Sequence, residues 1–275
     1  MSVVRFRSSH GTRYVFSEPA KACRLDLRLI PRRTPRQNVL HADIAITPRA
    51  SNQRRWTDAF GNPCVSAVID GPFRTLEIDA VALTSCSLDH KSEAAFPCDT
   101  SLWTTETVRT PALPSLVAAA NDIAAAETAS HARAAAVVDY VHRRMRYDPG
   151  AADPSRALET TVAEEAGVCQ DFAHMAAAML RTLSIPVRYV CGYLDTTAVA
   201  GRNAHLAEDD LHAWICAYDL KDGWVDFDPV LGERVDKPRV TVAHGRDFDD
   251  VAPVIGRFEG GGAHIMETGV SLWRA

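Results

Sequence analysis

Much that would mark a specialised class is missing from this chain of 275 residues. No stretch approaches the roughly 18 consecutive apolar residues of a membrane-spanning helix. The opening MSVVRFRSSHGTRYVF lacks the apolar run of a secretory signal. The seven cysteines (Cys23, Cys64, Cys86, Cys98, Cys169, Cys191 and Cys216) are odd in number, irregular in spacing and contain no C-x-x-C, which argues against a disulfide framework. There is no excess of positive charge: the formal net charge is -5, so the basic field that nucleic-acid binding needs is absent. These absences lead us to expect a reduced, soluble, cytoplasmic protein with neither a nucleic-acid nor a membrane partner. Oligomeric state is not legible.

What is present suits a folded protein. Hydrophobic residues make up 47% and charged residues 24%, enough apolar material for a sizeable core. The length allows one large domain or two ordinary ones. Basic residues gather early, at Arg32, Arg33, Arg36, Arg54 and Arg55. A solvated surface is the simpler reading of that group and an anionic partner the alternative.

Residues 1 to about 90 read as β structure. RYVF, ACRLDLRLI, VLHADIAI, CVSAVID and TLEIDAVAL are short apolar or alternating runs, separated by turn signals at Pro31, Thr47-Pro48, Phe60 to Pro63 and Asp70 to Pro72. Residues 91–113 are polar and proline-punctuated and are expected to link or strap two domains. From 114 the period changes. Residues 114–146 predict two alanine-rich helices broken near Thr128 to Ser130, with Val137, Val141 and Met145 on one face. A third helix is expected from about Val168 to Leu183, ended by Pro186, followed by strands at VRYVCGYL, LHAWICAYDL and GWVDFDPV. The order gives an α+β class: an N-terminal β domain over 1–90, a linker, and helices packed on an antiparallel sheet over 114–275.

One constellation could carry chemistry. Cys169, in GVCQDFAHM, opens the third helix, where unpaired N–H groups and the helix dipole favour a thiolate. Alone it reads as a small packing residue. His212 shares a strand face with Trp214, Cys216 and Tyr218, and an imidazole there could take the thiol proton and return it to a leaving amine. A base needs an orienting partner. Asp226 and Asp228, on the next strand, both share parity with His212, and they reach its face only if the hairpin loop holds an odd number of residues. A loop of three or five is therefore predicted, with Asp228 opposite His212 or one diagonal step away. Asp228 stands before Pro229, at a strand end, where a carboxylate can turn back to the ring. Cys, His and Asp would act as nucleophile, base and orienter, with the Cys169 N–H as one oxyanion donor. Tyr147 is a candidate for the second donor or for substrate contact, and Trp214 for lining the acyl pocket.

With these residues in view, the chain resembles the bacterial transglutaminase-like superfamily, including members described as cysteine proteases. GVCQDFAHMAAAMLRTLSIPVRYVCGYL resembles the nucleophile helix and following strand, and HAWICAYDLKDGWVDFDP the His and Asp strands. GRDFDDVAPVIGRFEGGG is similar to the C-terminal signature. Tyr14, the PRR near 31, FGNP and DGP resemble the N-terminal β domain. The resemblance implies a papain-like core with Cys169, His212 and Asp228 as the triad, and it selects Asp228 over Asp226. Val230 and Leu231 depart from a common polar pair, and Ser184 from a common glycine.

The reading is thus an enzyme that forms a thioester on Cys169 from a peptide or other amide-containing substrate, without cofactor or metal. His174 lies about 140° round the helix from Cys169, so the two do not make a chelating face. Hydrolysis is favoured, with amine-accepting transfer and a non-catalytic binding module as alternatives. Asp171, in the first helical turn, reads as structural, and Asp247, Asp249 and Asp250 as loop solvation.

Overall fold

A computed structural model describes residues 3–87, 100–195 and 211–275. The N-terminal part is built on two strands of 25 residues each, β1 (Val3–Leu27) and β4 (Pro63–Ser87), paired along most of their length. Between them come β2 (Gln37–Thr47) and β3 (Asn52–Thr57), which pair with the two halves of β4. The runs RYVF and ACRLDL, expected as separate strands, lie in one strand, as do CVSAVID and TLEIDAVAL. Asp70 to Pro72 is a bend inside β4, not a reversal. A side chain at Gly71 would meet the Ala20 carbonyl oxygen at 2.3 Å, so the two backbones touch where both strands bend. Alternate residues of β1 and β4 are buried, and Leu25, Leu27, Ile69, Leu76 and Ile78 centre the core of this sheet.

The second part follows the expected helices and adds some. Before them, α1 (Ser101–Thr104) buries Trp103 against Phe60 and Trp224, at ring distances of 5.8 and 5.9 Å. The segment expected as a linker over 91–113 therefore behaves as a packed strap from residue 100 on; residues 91–99 lie outside the described residues. Helices α2 (Pro114–Ala126) and α3 (Ser130–Arg144) break where expected, and Val137, Val141 and Met145 are buried together. β5 (Arg146–Tyr147) pairs in parallel with β6 (Ala166–Gly167), and between them lies α4 (Leu158–Glu164), which the sequence pattern did not reveal. Then comes α5 (Cys169–Thr182), buried on nearly every side.

α5 lies on an antiparallel sheet of β7 (Val187–Tyr193), β8 (His212–Asp219), β9 (Gly223–Asp228), β10 (Glu233–Arg234) and β11 (Val240–Gly245), in the order β10-β9-β8-β7-β11. Ala213, Ile215, Ala217, Val225 and Phe227 face α5. Trp214, Cys216, Tyr218 and Trp224 face the other way, toward Trp103. A short α6 (Phe248–Val251) follows. The last strands, β12 (Val254–Gly260) and β13 (His264–Arg274), pair with β1. Residues 254–274, expected within the 114–275 unit, thus complete the N-terminal sheet, because β1 is long enough to pair with β13 over its first half and β12 over its second. No helix among the described residues is long and apolar enough to cross a membrane.

Candidate active site

The start of α5 is set by a buried carboxylate. Val168 is extended, and its N–H donates to Asp171 Oδ2 at 2.8 Å, while Thr161 Oγ1 donates to Oδ1 at 3.2 Å. A side chain at Gly167 would come within 2.5 Å of the same carboxylate, so the glycine lets Asp171 fold back over the turn. Burial pushes the Asp171 carboxyl up, against the bonds from Val168 and Thr161 and the field of Arg156. The residue read as structural therefore fixes the backbone that presents Cys169. The thiol itself is partly exposed, with Sγ 4.0 Å from the Leu211 carbonyl oxygen. Tyr147 stands abreast of Gly167 in the β5–β6 pair, its ring 6.2 Å from that of Phe172.

The β8–β9 hairpin decides what reaches Cys169. Its last pair is Asp219 with Gly223, which leaves a three-residue loop, Leu220 to Asp222. Asp219 Oδ1 accepts from the N–H groups of Lys221 and Asp222, and Gly223 takes a φ of 70°. The odd loop puts both aspartates on the His212 face. The register pairs Cys216 with Asp226, so Asp228 falls opposite Trp214, one diagonal step from His212. Asp226 Oδ1 accepts instead from the Trp214 indole N–H at 3.2 Å, which separates the two candidates by geometry.

His212 Nε2 and Asp228 Oδ2 are 2.8 Å apart, with side chains 4% and 0% exposed. Burial disfavours the charged ring, but Asp228 and the neighbouring Cys169 outweigh it and raise the His212 pKa to about 9. Burial likewise opposes the Asp228 carboxylate, yet His212 and Arg239 hold it well below the usual carboxylate range. With Nε2 committed to Asp228, Nδ1 is the nitrogen left to exchange a proton with the neighbouring Cys169.

Asp228 has further partners that sequence reasoning missed. Arg239 Nη1 donates to Oδ2 at 2.5 Å, and the N–H groups of Val230 and Leu231 donate to Oδ1 at 2.9 and 3.2 Å. No local pattern announced Arg239; it reaches the site only because the chain returns past β10. The hydrogen bonds at 230 and 231 come from the backbone, so the departure of these side chains from a polar pair leaves the carboxylate's contacts intact. Ser184, the other departure, adopts a φ of 55° at the end of α5, where glycine is favoured.

Trp214 is 1% exposed, with its ring 6.2 Å from that of His212 and Arg239 stacked over it at 5.4 Å. It backs the histidine from inside the protein. His174 is also buried, but its Nε2 accepts the Phe248 N–H at 3.1 Å, and burial lowers its pKa to about 3. Asp247, Asp249 and Asp250, expected as loop solvation, are instead engaged. Asp247 caps α6, Asp249 holds Arg109 in a bidentate pair, and Asp250 holds Arg246. Among the described residues, no three His, Cys, Asp or Glu side chains are grouped to hold a metal ion.

The chain was compared with known proteins. A sequence model described as Transglutaminase-like superfamily matches residues 117–229, and one described as Bacterial transglutaminase-like N-terminal region matches residues 6–84. An uncharacterized protein of Mycobacterium leprae is 29% identical, over 98% of this chain and 99% of its own. One of Mycobacterium tuberculosis is 26% identical, over 92% of this chain and 87% of its own. Among solved structures, a candidate cysteine protease from Cytophaga hutchinsonii superposes with a TM-score of 0.80 at 21% identity, covering 100% of this chain and 91% of that one. That likeness establishes the shared fold.

Proposed function

The chain belongs to the transglutaminase-like superfamily, and on that premise we propose that it is a cysteine hydrolase that cleaves a peptide or isopeptide-like amide through a thioester on Cys169. The observation that carries this reading is the buried His212–Asp228 pair beside a partly exposed thiol at the start of a helix. A ring whose pKa is about 9 holds its proton at neutral pH. It can therefore sit as imidazolium beside a thiolate and have ready the proton a leaving amine requires.

The cycle follows from these groups. The Cys169 sulfur attacks the acyl carbon, and the carbonyl oxygen takes up negative charge near the N–H groups of Cys169 and Gln170 that open α5. His212 gives its proton to the amine as the C–N bond breaks. Water then attacks the thioester, His212 removes the water's proton, and the acid leaves as the thiolate re-forms. Asp228 stays ionised and keeps the ring turned toward sulfur. Hydrolysis is favoured over amine transfer because a transferase must also exclude water, and the Cys169 thiol is open to it.

The test is to incubate the protein with a library of peptide and isopeptide amides and to follow the Cys169 peptide by mass spectrometry. An acyl adduct on Cys169, lost in Cys169→Ala and released at a rate unaffected by added amine, is the expected outcome. Release that rises in proportion to amine concentration would make the protein a transferase. Alkylation of Cys169 at pH 7 that proceeds equally in wild type and His212→Gln would count for a binding module.

A further inference from the structure

On the face of the five-stranded sheet turned away from α5, a cavity of about 70 Å³ lies between that sheet and the turn at residues 34–37. That is several times the roughly 10–15 Å³ that one water requires. Neither Cys169 nor His212 lines it. Its walls carry four cations, Arg36, Arg188, Lys237 and Arg239, and one carboxylate, Asp226. Asp226 already accepts the Trp214 indole N–H. Arg36 belongs to the basic group for which the sequence left an anionic partner open.

The hydrogen-bond balance of the cavity points the same way. Trp224 Nε1, Arg239 Nε and His244 Nδ1 are buried nitrogens with no hydrogen-bond partner among the described residues. All three side chains line this cavity, and they are 7%, 6% and 6% exposed. The indole and guanidinium nitrogens can only donate. Buried donors without acceptors are costly and are seldom left so. Water could meet them, but it brings protons of its own, and it does nothing for walls that carry more cations than carboxylates. A group rich in acceptors and bearing negative charge matches both the donors and the cations.

We propose that this cavity is a binding site for a small phosphate-type oxyanion. The site adjoins the triad through Arg239, whose Nη1 holds Asp228 while its Nε remains for the anion. Binding does not depend on the thiol, so it can be measured apart from any reaction at Cys169.

The experiment is calorimetric titration of inorganic phosphate into the full chain, in chloride buffer at constant ionic strength. Wild type and Cys169→Ala are expected to bind at one saturable site with equal affinity. Trp224→Phe keeps a ring and removes the N–H, and Arg36→Gln removes a charge from the 34–37 turn. Each is expected to weaken phosphate by about tenfold or more, with folding checked by circular dichroism. If Trp224→Phe fails to fold, Arg36→Gln carries the comparison alone. Absence of saturable heat in folded wild type, or affinity unchanged in the folded variants, would overturn the proposal. Phosphate binding by a wild type that forms no acyl adduct on Cys169 with any amide tested would instead refute the reading of Cys169 and leave this site standing.

Discussion

His212 and His174 are buried to nearly the same depth, 4% and 3% exposed, yet their rings are driven in opposite directions, one to about 9 and the other to about 3. His174 sits one turn inside α5, near Arg109 and Arg181, with Asp249 as a minor opposing charge, and its Nε2 is occupied as an acceptor. His212 stands at the mouth of β8 with a carboxylate at 2.8 Å and a thiol beside it. Burial sets the same cost in both places. A specific partner decides whether the ring keeps its proton, so depth alone does not mark a catalytic base.

The strongest way to break this contrast is Asp228→Asn. The amide is close in shape but supplies no negative charge, so the His212 region should come to resemble that of His174. Acylation at Cys169 is expected to fall by about 10³-fold or more, and NMR titration should show the His212 ring losing its elevated pKa. Retention of either property would mean that Asp228 is not what distinguishes the two histidines.

Arg239→Gln sharpens the same point with a smaller effect. It removes one of two groups on Asp228 Oδ2 and leaves His212 in place. A loss of roughly 10–100-fold in acylation is expected, of the size of a lost charge-assisted hydrogen bond. Arg239→Lys should recover part of it, since it restores the charge but not the planar fork. As a positioning residue, Arg239 should also affect the alkaline limb of the pH profile, which a purely structural change would leave in place.

Much of this site was legible in the sequence because it is local. Cys169 was marked by the glycine before it and the helix after it, and the His212–Asp228 geometry by parity and an odd hairpin loop. What was not legible depends on distant returns of the chain. Arg239 follows a two-residue strand, and the pairing of β12 and β13 with β1 spans almost the full length of the protein. α4 escaped because its short run, LETTVAE, carries too few apolar positions to show a period. The 25-residue β4 was cut at Asp70 to Pro72 because glycine and proline mark a bend as strongly as a reversal.

Stability against pH separates the two histidines without any substrate. The His212 pKa is raised in the folded state, so its contribution is complete below about 6.5 and is lost as pH rises through about 9. That loss is on the order of 3 kcal/mol, several degrees in Tm. The lowered Asp228 carboxyl works at the other end: its contribution is present above about 3.9 and lost as pH falls through its folded value. Melting from pH 6 to 10 should therefore show an alkaline decline in wild type that is largely flattened in Asp228→Asn.

His174 calls for the opposite behaviour. Its pKa is lowered to about 3, so the neutral ring is compatible with the fold above about 6.5, and stability is lost as pH falls from there toward 3. Glutamine can still accept the Phe248 N–H but cannot take up a proton. His174→Gln should cost about 1 kcal/mol or less at pH 7. At pH 5 it should recover roughly 2 kcal/mol relative to wild type, because the unfolded chain no longer gains a proton that the folded core refuses. His10 and His244 are buried with lowered pKa values too, so part of the acid limb will persist in the variant. If the wild-type and His174→Gln curves run parallel between pH 7 and 5, the ring in α5 is protonated as readily as in the unfolded chain. The contrast with His212 would then lie in position and not in charge.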